Sequence, residues 1–180
     1  PSKKIRIDSI GKVKDVEDLG KRLKILLAAE DRAGQLVRAL TYQSLSYASV
    51  CIPEIADVPK PMDDAMRWGF GREAGPFETW DRLGVAETAE AMKAAGFAPA
   101  PWVDKMVQNG CPTFYQYAGE IKVGVYNSVK GAYEPIQRPA GMILLSEVKA
   151  AGKVVAKNMG ATLLDIGDGV GCVEFHTKMN

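Results

Sequence analysis

His176 is the only histidine of the chain, and it is the first residue whose chemistry has to be weighed. Glu174 lies two residues earlier, so in a strand both side chains share a face, and a carboxylate can orient an imidazole for proton transfer. One such pair in an exposed strand is a weak signal. A solvated or packing histidine is the favoured interpretation.

Carboxylates are concentrated between residues 63 and 81, where acid–base chemistry would need a pair in unlike environments. The group consists of Asp63, Asp64, Glu73, Glu78 and Asp81. Asp63, Asp64 and Glu78 fall in the first turns of predicted helices, where carboxylates favour the positive end of the helix dipole and cap N–H groups. Arginines interleave with the acids, which favours surface ion pairs. We therefore predict no catalytic residue in this chain.

The other candidate sites have simpler interpretations. Cys111 lies between glycine and proline with no histidine nearby, so a catalytic thiolate is not expected. The glycine-rich run Gly167–Gly171 resembles a phosphate-binding loop, but such a loop must lead into a helix, and here a strand follows. We interpret it as a hairpin turn. The cysteines are widely spaced and form no zinc pattern, so no metal site is predicted.

Aromatic residues could line a ligand groove. They are Trp68, Phe70, Phe77, Trp80 and Trp102. Their helical spacing favours core or subunit contacts instead. The elements that carry most of them are two short helices joined at glycines. Pro61 begins the first, Gly69 and Gly71 end it, and Gly75-Pro76 begins the second.

Further helices are predicted on both sides of this stretch. Residues 1–20 have no helical period and read as a linker, and Leu23–Ala29 fits either a strand or a helix. Asp31 caps a long amphipathic helix that ends before Pro53, with Leu36, Leu40 and Tyr47 among its periodic apolar positions. Ala86–Ala95 and Pro101–Asn109 are two more helices.

Strands appear only in the last third of the chain. Residues 121–126 alternate and return through a turn to Tyr133–Ile136, which predicts a hairpin. Ser146 caps a helix that runs to Met159, and Thr162–Ile166 with Val170–Phe175 forms a second hairpin. We therefore predict a mainly α fold, a helical bundle with one or two β-hairpins in its C-terminal third.

The composition is that of an ordinary globular protein. Apolar residues make up 47% of the chain, charged residues 25%, and the net charge is +1. This gives no electrostatic basis for binding nucleic acid or a membrane surface. The first residues of the sequence lack the apolar stretch of a signal peptide, and we expect a reducing, cytoplasmic setting from the three widely spaced cysteines. The chain opens on Pro1 and stops directly after a strand, and we expect it to be a piece cut from a longer polypeptide.

Several motifs resemble one enzyme family. The run Asp63–Phe70 and the run Gly75–Gly84 are similar to the C-terminal helical domain of 3-hydroxyacyl-CoA dehydrogenases, which is related to the helical domain of 6-phosphogluconate dehydrogenase. Asp31–Gly34 and Ile52–Asp57 match a bacterial subgroup in which the dehydrogenase is fused to an enoyl-CoA hydratase. Leu164–Val170 and Val173–Asn180 look like the start of that hydratase domain, a crotonase fold.

The resemblance implies a fragment of a bifunctional fatty-acid β-oxidation enzyme. The parent would hydrate trans-2-enoyl-CoA and oxidise L-3-hydroxyacyl-CoA with NAD. Its catalytic histidine–glutamate pair and NAD loop would lie in a Rossmann domain upstream, and the hydratase site in a crotonase domain downstream. These neighbouring domains are the expected partners, with a homodimer as a further possibility. The fragment itself is expected to bind no cofactor and to be inactive.

The sequence departs from the family at one point. Helical domains of this family often carry Gly-Phe-x-x-Asn-Arg in the first long helix, where this chain has Gln35, Arg38 and Ala39 at the three later positions. The resemblance then implies a second, degenerate copy of the helical domain. In fused relatives such a copy packs on the first and imitates the dimer of the single-function enzyme.

The expected organisation has four parts. Residues 1–30 form a linker, 31–118 the helical domain, 119–160 a hairpin-plus-helix connection and 161–180 the start of a truncated hydratase domain. The residues expected to line substrate or pack between domains are Arg38, Trp68, Phe70, Phe77 and Trp80. Two other functions stay open: an acyl-CoA-binding module, with Arg38 or Lys105 for the CoA phosphates, and an assembly domain that exposes Trp80 or Trp102.

Overall fold

The computed structural model describes residues 6–119 and 121–176. They form two compact units. One holds the residues up to Gln116 together with Gly124–Pro135, and the other holds Tyr117–Val123 together with the residues from Ile136 onward. The start of the predicted linker (1–5), residue 120 and the end of the predicted hydratase segment (177–180) lie outside the described residues.

The described residues contain eight helices and six strands. The helices are α1 (Asp8–Val13), α2 (Leu19–Leu27), α3 (Arg32–Val50), α4 (Lys60–Phe70), α5 (Pro76–Leu83), α6 (Val85–Ala94), α7 (Pro101–Gln108) and α8 (Leu145–Ala150). The strands are β1 (Tyr115–Ala118), β2 (Ile121–Asn127), β3 (Ala132–Pro135), β4 (Val154–Lys157), β5 (Ala161–Asp165) and β6 (Gly171–Phe175). No helix in residues 6–119 or 121–176 has the length and apolar character needed to cross a membrane.

The long helix α3 begins as predicted, at the N-cap residue Asp31. One carboxylate oxygen of Asp31 accepts the Gly34 N–H at 3.0 Å. The same carboxylate also accepts the backbone N–H and the hydroxyl of Ser9, at 3.0 and 2.8 Å. These hydrogen bonds, that of Gly34 first, lower the pKa of Asp31 because they favour the ionised form. The cap therefore also ties α1 to the start of α3.

An aromatic cluster forms the core of the first of the two units, which holds α1 to α7 and which we call the helical unit. Phe77 and Trp80 of α5 are fully buried, and both contact Phe114, with ring centroids 4.9 and 5.2 Å apart. Trp102 of α7 contacts the same ring at 5.7 Å. The Trp80 indole N–H donates to the Val85 carbonyl at 3.1 Å, which satisfies its polar atom. This cluster fixes α5 against α7 and the start of β1.

The strands form two small sheets, so the prediction of a mainly α chain with one or two hairpins is right only in part. The orders are β1-β2-β3 and β4-β5-β6. The two predicted hairpins are present as β2–β3, paired from Gly124 with Pro135 to Asn127 with Ala132, and as β5–β6. Each hairpin gains a third strand that was not predicted, β1 or β4, because both are four-residue strands without clear alternation.

The structure differs from the sequence prediction, or decides what it left open, at two places near the chain ends. Residues 8–13 and 19–27, expected to be linker or undecided, are the helices α1 and α2. The helix predicted from Ser146 to Met159 stops at Ala150, because Gly152 takes a left-handed φ of 73°. The Lys153 N–H then donates to the Val148 carbonyl at 3.1 Å, which closes the helix in a Schellman motif.

Candidate functional site

Asp63 of α4 forms the densest set of buried polar contacts in the helical unit. Its side chain has no solvent exposure. One carboxylate oxygen accepts the Phe77 N–H at 2.9 Å, and the other accepts the Glu78 N–H at 3.0 Å and the Tyr115 hydroxyl at 2.6 Å. Asp63 therefore joins α4, the N-terminus of α5 and the start of β1 at one point, which we call the Asp63 junction.

Gly75 explains why the cap of α5 comes from another helix. Gly75 is the N-cap residue of α5, and glycine has no side chain to accept the N–H groups of the first turn. A Cβ built on Gly75 would lie 2.5 Å from the Asp63 Cβ and 2.4 Å from its Cα. The φ of Gly75 is −76°, so glycine is required here for space and not for backbone conformation.

Glu78 supplies a second carboxylate at the same helix end. It is 5% exposed, and one of its oxygens accepts the Gly75 N–H at 2.8 Å, the reach-back contact of a capping box. Its other oxygen lies 3.4 Å from a guanidinium nitrogen of Arg67. Glu78 thus caps this helix end as predicted, but through the N–H group of the N-cap residue, and Asp63 accepts those of the first turn.

Asp81, in the last turn of α5, also accepts backbone N–H groups from another element. Its two carboxylate oxygens accept the N–H groups of Phe114 and Tyr115 at 2.7 and 3.1 Å. Because these N–H groups begin β1, Asp81 fixes where the strand starts. Three of the five carboxylates singled out from the sequence are thus engaged in backbone capping. Their interpretation as a surface ion-pair set does not hold for Asp63 and Glu78, which are buried.

Burial changes the titration of the junction. Loss of water raises the pKa of Asp63 from 3.8 to about 7, and this outweighs the three hydrogen bonds, which favour the ionised form. The nearby Glu78 carboxylate adds to the rise. Burial, followed by the charge of Asp63, raises the pKa of Tyr115. A raised carboxyl pKa is typical of catalytic acids, but no substrate atom can reach a side chain with no exposed surface, so the chemistry available to the junction is structural.

The five residues expected to line substrate or pack between domains fall in separate environments. Phe77 and Trp80 are in the core, whereas Trp68 and Phe70 of α4 are 77% and 75% exposed. The Lys60 ammonium lies 6.0 Å from the centre of the Trp68 ring, within cation–π range. The structure therefore brings Phe77 and Trp80 together and leaves Trp68 and Phe70 on the surface.

Arg38 forms hydrogen bonds with backbone carbonyls of this chain. Its guanidinium donates to the carbonyls of Leu27 and Ala29, both at 2.9 Å, just where α2 ends. A cation at the C-terminus of a helix satisfies its last carbonyls and stabilises its dipole. These contacts direct the Arg38 head group to backbone oxygens, and Arg38 is positioned to hold α2 against α3.

A groove of about 970 Å³ lies beside α3, and the sequence did not indicate it. Its walls include Leu19, Leu23, Leu40, Tyr47, Val50 and Phe97. Leu36, Leu40 and Tyr47, which we predicted as part of the buried face of α3, are 59%, 58% and 71% exposed. Tyr42, Leu45 and Ala48 are the buried residues of this helix instead. The sequence does show a second row of apolar residues on α3, but from helical periodicity alone we assigned that row to the core.

Glu174 of β6 and His176, the residue that follows β6, do not form a catalytic relay. His176 Nε2 lies 2.8 Å from the Thr162 hydroxyl and 3.5 Å from Glu174 Oε2, so both neighbours meet the same ring nitrogen. A general base needs its orienting carboxylate on the opposite nitrogen. Glu174 instead accepts from the Lys149 ammonium at 2.8 Å, which lowers the pKa of Glu174. The packing interpretation accounts for these contacts.

The remaining candidates have structural roles or none. Gly167, Asp168 and Gly169 have φ values of 99°, 53° and 74°, as expected for the tight turn between β5 and β6. Within the described residues, no three or more His, Cys, Asp or Glu side chains are grouped to hold a metal ion. The cysteines are half-buried thiols.

The comparison with known proteins bears on the whole chain. Over 179 residues it is 36% identical to a curated protein. That relative is a probable 3-hydroxyacyl-CoA dehydrogenase of Bacillus subtilis (strain 168). The match covers 98% of this chain but 22% of the relative, so the chain spans about a fifth of the length of the curated protein that it matches. No family model matches the chain, and no solved structure matches it.

Proposed function

We propose that this chain is the helical, interdomain part of a bifunctional β-oxidation enzyme, an NAD-dependent L-3-hydroxyacyl-CoA dehydrogenase fused to an enoyl-CoA hydratase. In this proposal the chain supplies architecture, and bond-making takes place on neighbouring domains. Those are a Rossmann domain upstream, which binds NAD, and a crotonase domain downstream. The acyl-CoA substrate belongs to the parent enzyme.

The observation that supports the proposal most is that the buried Asp63 carboxylate is fully used in hydrogen bonds within the fold. The motif that most resembles the dehydrogenase family, Asp63–Gly84, includes the carboxylates of Asp63 and Asp81, whose hydrogen bonds join α4, α5 and the start of β1. Every hydrogen bond of Asp63 goes to a donor inside the fold. The similarity to the Bacillus subtilis relative supports the parent class, and the small share of that relative which is covered leaves room for the domains that do the chemistry.

Two assays test this proposal together. The chain alone, mixed with NAD and an L-3-hydroxyacyl-CoA, is expected to form no NADH, because its described carboxylates and histidine hold no geometry for removing a proton and a hydride. A chimera of the Bacillus subtilis relative, in which this chain replaces the matched residues, is expected to keep dehydrogenase activity. NADH formation by the chain alone, or a folded but inactive chimera beside an active relative, would contradict the proposal.

A second candidate function, an acyl-CoA-binding module, rests on the exposed aromatic side chains of Trp68 and Phe70. Their neighbour Lys60 is a cation that could meet a phosphate, although its ammonium pairs with Asp64. Calorimetric titration with an acyl-CoA separates the two functions. Saturable micromolar binding that is lost in Trp68→Ala would favour the module, and no heat of binding would favour the scaffold.

A further inference from the structure

The groove beside α3 has the volume and the lining of a pocket for an apolar ligand. We call it the α3 groove, and its walls are Leu19, Leu23, Leu40, Tyr47, Val50 and Phe97. Its volume is about 970 Å³. Ligand pockets typically hold about 300–1,000 Å³ and have mostly hydrophobic and aromatic walls. All of the residues that line the α3 groove belong to the helical unit.

The α3 groove is long and follows the axis of the helix. Val37 and Val50, near the two ends of α3, both belong to its lining. A rise of 1.5 Å per residue separates them by about 20 Å. Leu40, Ser44 and Tyr47 lie between them at steps of three or four residues, and therefore on the same side of the helix. A groove of this length fits an extended, unbranched chain better than a compact ring system.

The rim of the α3 groove has a surplus of positive charge. The charged residues of its lining are Arg22, Arg72 and Glu73. One oxygen of Glu73 pairs with Arg22 at 3.0 Å, and the other lies 3.7 Å from Arg82. Arg72 is exposed, and within residues 6–119 and 121–176 it is recorded in no hydrogen bond or ion pair. The Arg72 guanidinium is therefore available to an anion at the rim.

A single carboxylate suits this rim better than a phosphate group. A guanidinium binds either anion through two parallel hydrogen bonds, so its geometry does not decide between them. The charges do decide, because Arg72 is the one cation of the described lining that is not already paired, and one negative charge balances it. Glu73, the next residue in the chain, repels a doubly charged group more strongly than a singly charged one.

We propose that the α3 groove binds a long-chain carboxylate, with its unbranched apolar tail along α3 and its head group at Arg72. The length of the groove matches the tail, and the charge at the rim complements the head group. This ligand differs from an acyl-CoA, in which an uncharged thioester takes the place of the carboxylate. The inference does not depend on the proposed function, because it concerns equilibrium binding to this chain and involves no catalytic step.

Calorimetric titration of the full chain with saturated fatty carboxylates tests the site of the tail. Dodecanoate, used below the concentration at which it forms micelles, is expected to bind one-to-one with a micromolar dissociation constant. Each methylene removed from the tail should raise that constant by roughly two- to fourfold, because less apolar surface is buried.

A charge on the groove wall should weaken binding. Leu40 is 58% exposed, so Leu40→Glu should keep the fold. It should raise the dissociation constant of dodecanoate by at least about 10-fold, because the tail would then cover a carboxylate. The matched control is Val129→Glu, at a 65% exposed position in the β2–β3 turn, which should leave the constant unchanged.

Substitutions of Arg72 test the site of the head group. Arg72→Gln should raise the dissociation constant of dodecanoate by roughly fivefold, and Arg72→Lys should recover part of that loss. The uncharged methyl ester of dodecanoate should bind the wild type and Arg72→Gln equally. Arg32→Gln is the matched control, because Arg32 is also exposed but lies at the start of α3, outside the lining of the groove.

The proposal is overturned if the folded wild-type chain gives no saturable heat with any of these carboxylates. It is also overturned if the dissociation constant does not change with tail length, or if Arg72→Gln or Leu40→Glu binds dodecanoate as tightly as its control does. Tighter binding of dodecanoyl-CoA than of dodecanoate would contradict it as well, since the ligand would then be recognised without a carboxylate.

Discussion

The carboxylate of Asp63 occupies the capping position that Gly75 leaves without a side chain. Gly75 is the N-cap residue of α5, but Asp63 of the preceding helix accepts the hydrogen bonds from the N–H groups of the first turn, at 2.9 and 3.0 Å. The close approach requires the missing Cβ, since any larger residue would overlap with Asp63. One aspartate and one glycine thus determine how α4 packs on α5.

Removal of the carboxylate should destabilise the fold strongly. In Asp63→Ala, the N–H groups of Phe77 and Glu78 and the Tyr115 hydroxyl lose their acceptor in a buried site. We expect a loss of about 3–5 kcal/mol in the free energy of unfolding, measured by urea denaturation. Asp64→Ala is the matched control. Asp64 pairs with Lys60 near the surface, so this variant should lower the free energy of unfolding by less than about 1 kcal/mol. Equal losses in both variants would contradict the capping role.

Gly75→Ala should destabilise the fold by overlap, because the new methyl group would lie within 2.5 Å of Asp63 atoms. Gly69→Ala is the control: it adds the same methyl group inside α4, where nothing lies within 4 Å, and should raise stability by about 0.5–1 kcal/mol. Thermal unfolding followed by circular dichroism measures both. An unchanged melting temperature in Gly75→Ala would show that the junction is looser than described.

The raised pKa of Asp63 predicts an unusual pH dependence. Between pH 4 and pH 7 the folded protein keeps a proton on Asp63 while the unfolded chain, with a pKa of 3.8, has lost it. The folded state binds more protons, so this group's contribution to stability falls as pH rises through that window, by up to about 4 kcal/mol. The lowered pKa values of Asp31, Glu134 and Glu174 act in the opposite sense: their contribution to stability is lost as pH falls below the unfolded values, 3.8 for the aspartate and 4.5 for the glutamates.

Urea midpoints of the wild type and Asp63→Asn across pH 4–8 measure this contribution. The asparagine cannot titrate, so the difference in stability between the two proteins should shrink as pH rises towards 7. A difference that stays constant, or grows, would place the Asp63 pKa near its ordinary value.

Local signals were sufficient to predict α5 and the hairpins. Pro76 and Glu78 mark the start of α5 within one turn, and the spacing of Phe77, Trp80 and Leu83 gives its buried face. The two predicted hairpins follow from turn residues that lie next to the strands they join. In each case the determining residues are neighbours in sequence.

The partner of a capping group on another element could not be predicted in this way. Asp63 precedes Phe77 by fourteen residues and Tyr115 by fifty-two. The sequence assigned Asp63 to its own helix dipole, which is the nearest physical explanation. The exposed half of α3 was missed for a related reason: periodicity detects an apolar face but does not tell whether the chain itself covers it.

Substitutions of Arg38 test whether this arginine has a structural role or binds a phosphate group. Arg38→Ala should lower the free energy of unfolding by about 1–2 kcal/mol, because the Leu27 and Ala29 carbonyls lose their donors. Arg38→Lys should recover only part of it, since an ammonium lacks the planar fork. The exposed Lys105→Ala serves as control and should be neutral. Loss of acyl-CoA binding in Arg38→Ala without loss of stability would support the acyl-CoA module instead.

One measurement tests directly whether this chain supplies architecture and leaves the chemistry to neighbouring domains. In the chimera of the Bacillus subtilis relative, kcat of Asp63→Asn is measured from low temperature to the unfolding transition, beside the fraction folded. We predict an unchanged kcat per folded molecule and a lower melting temperature. A kcat reduced by about 100-fold or more in fully folded protein would make Asp63 part of the catalytic machinery and contradict the account.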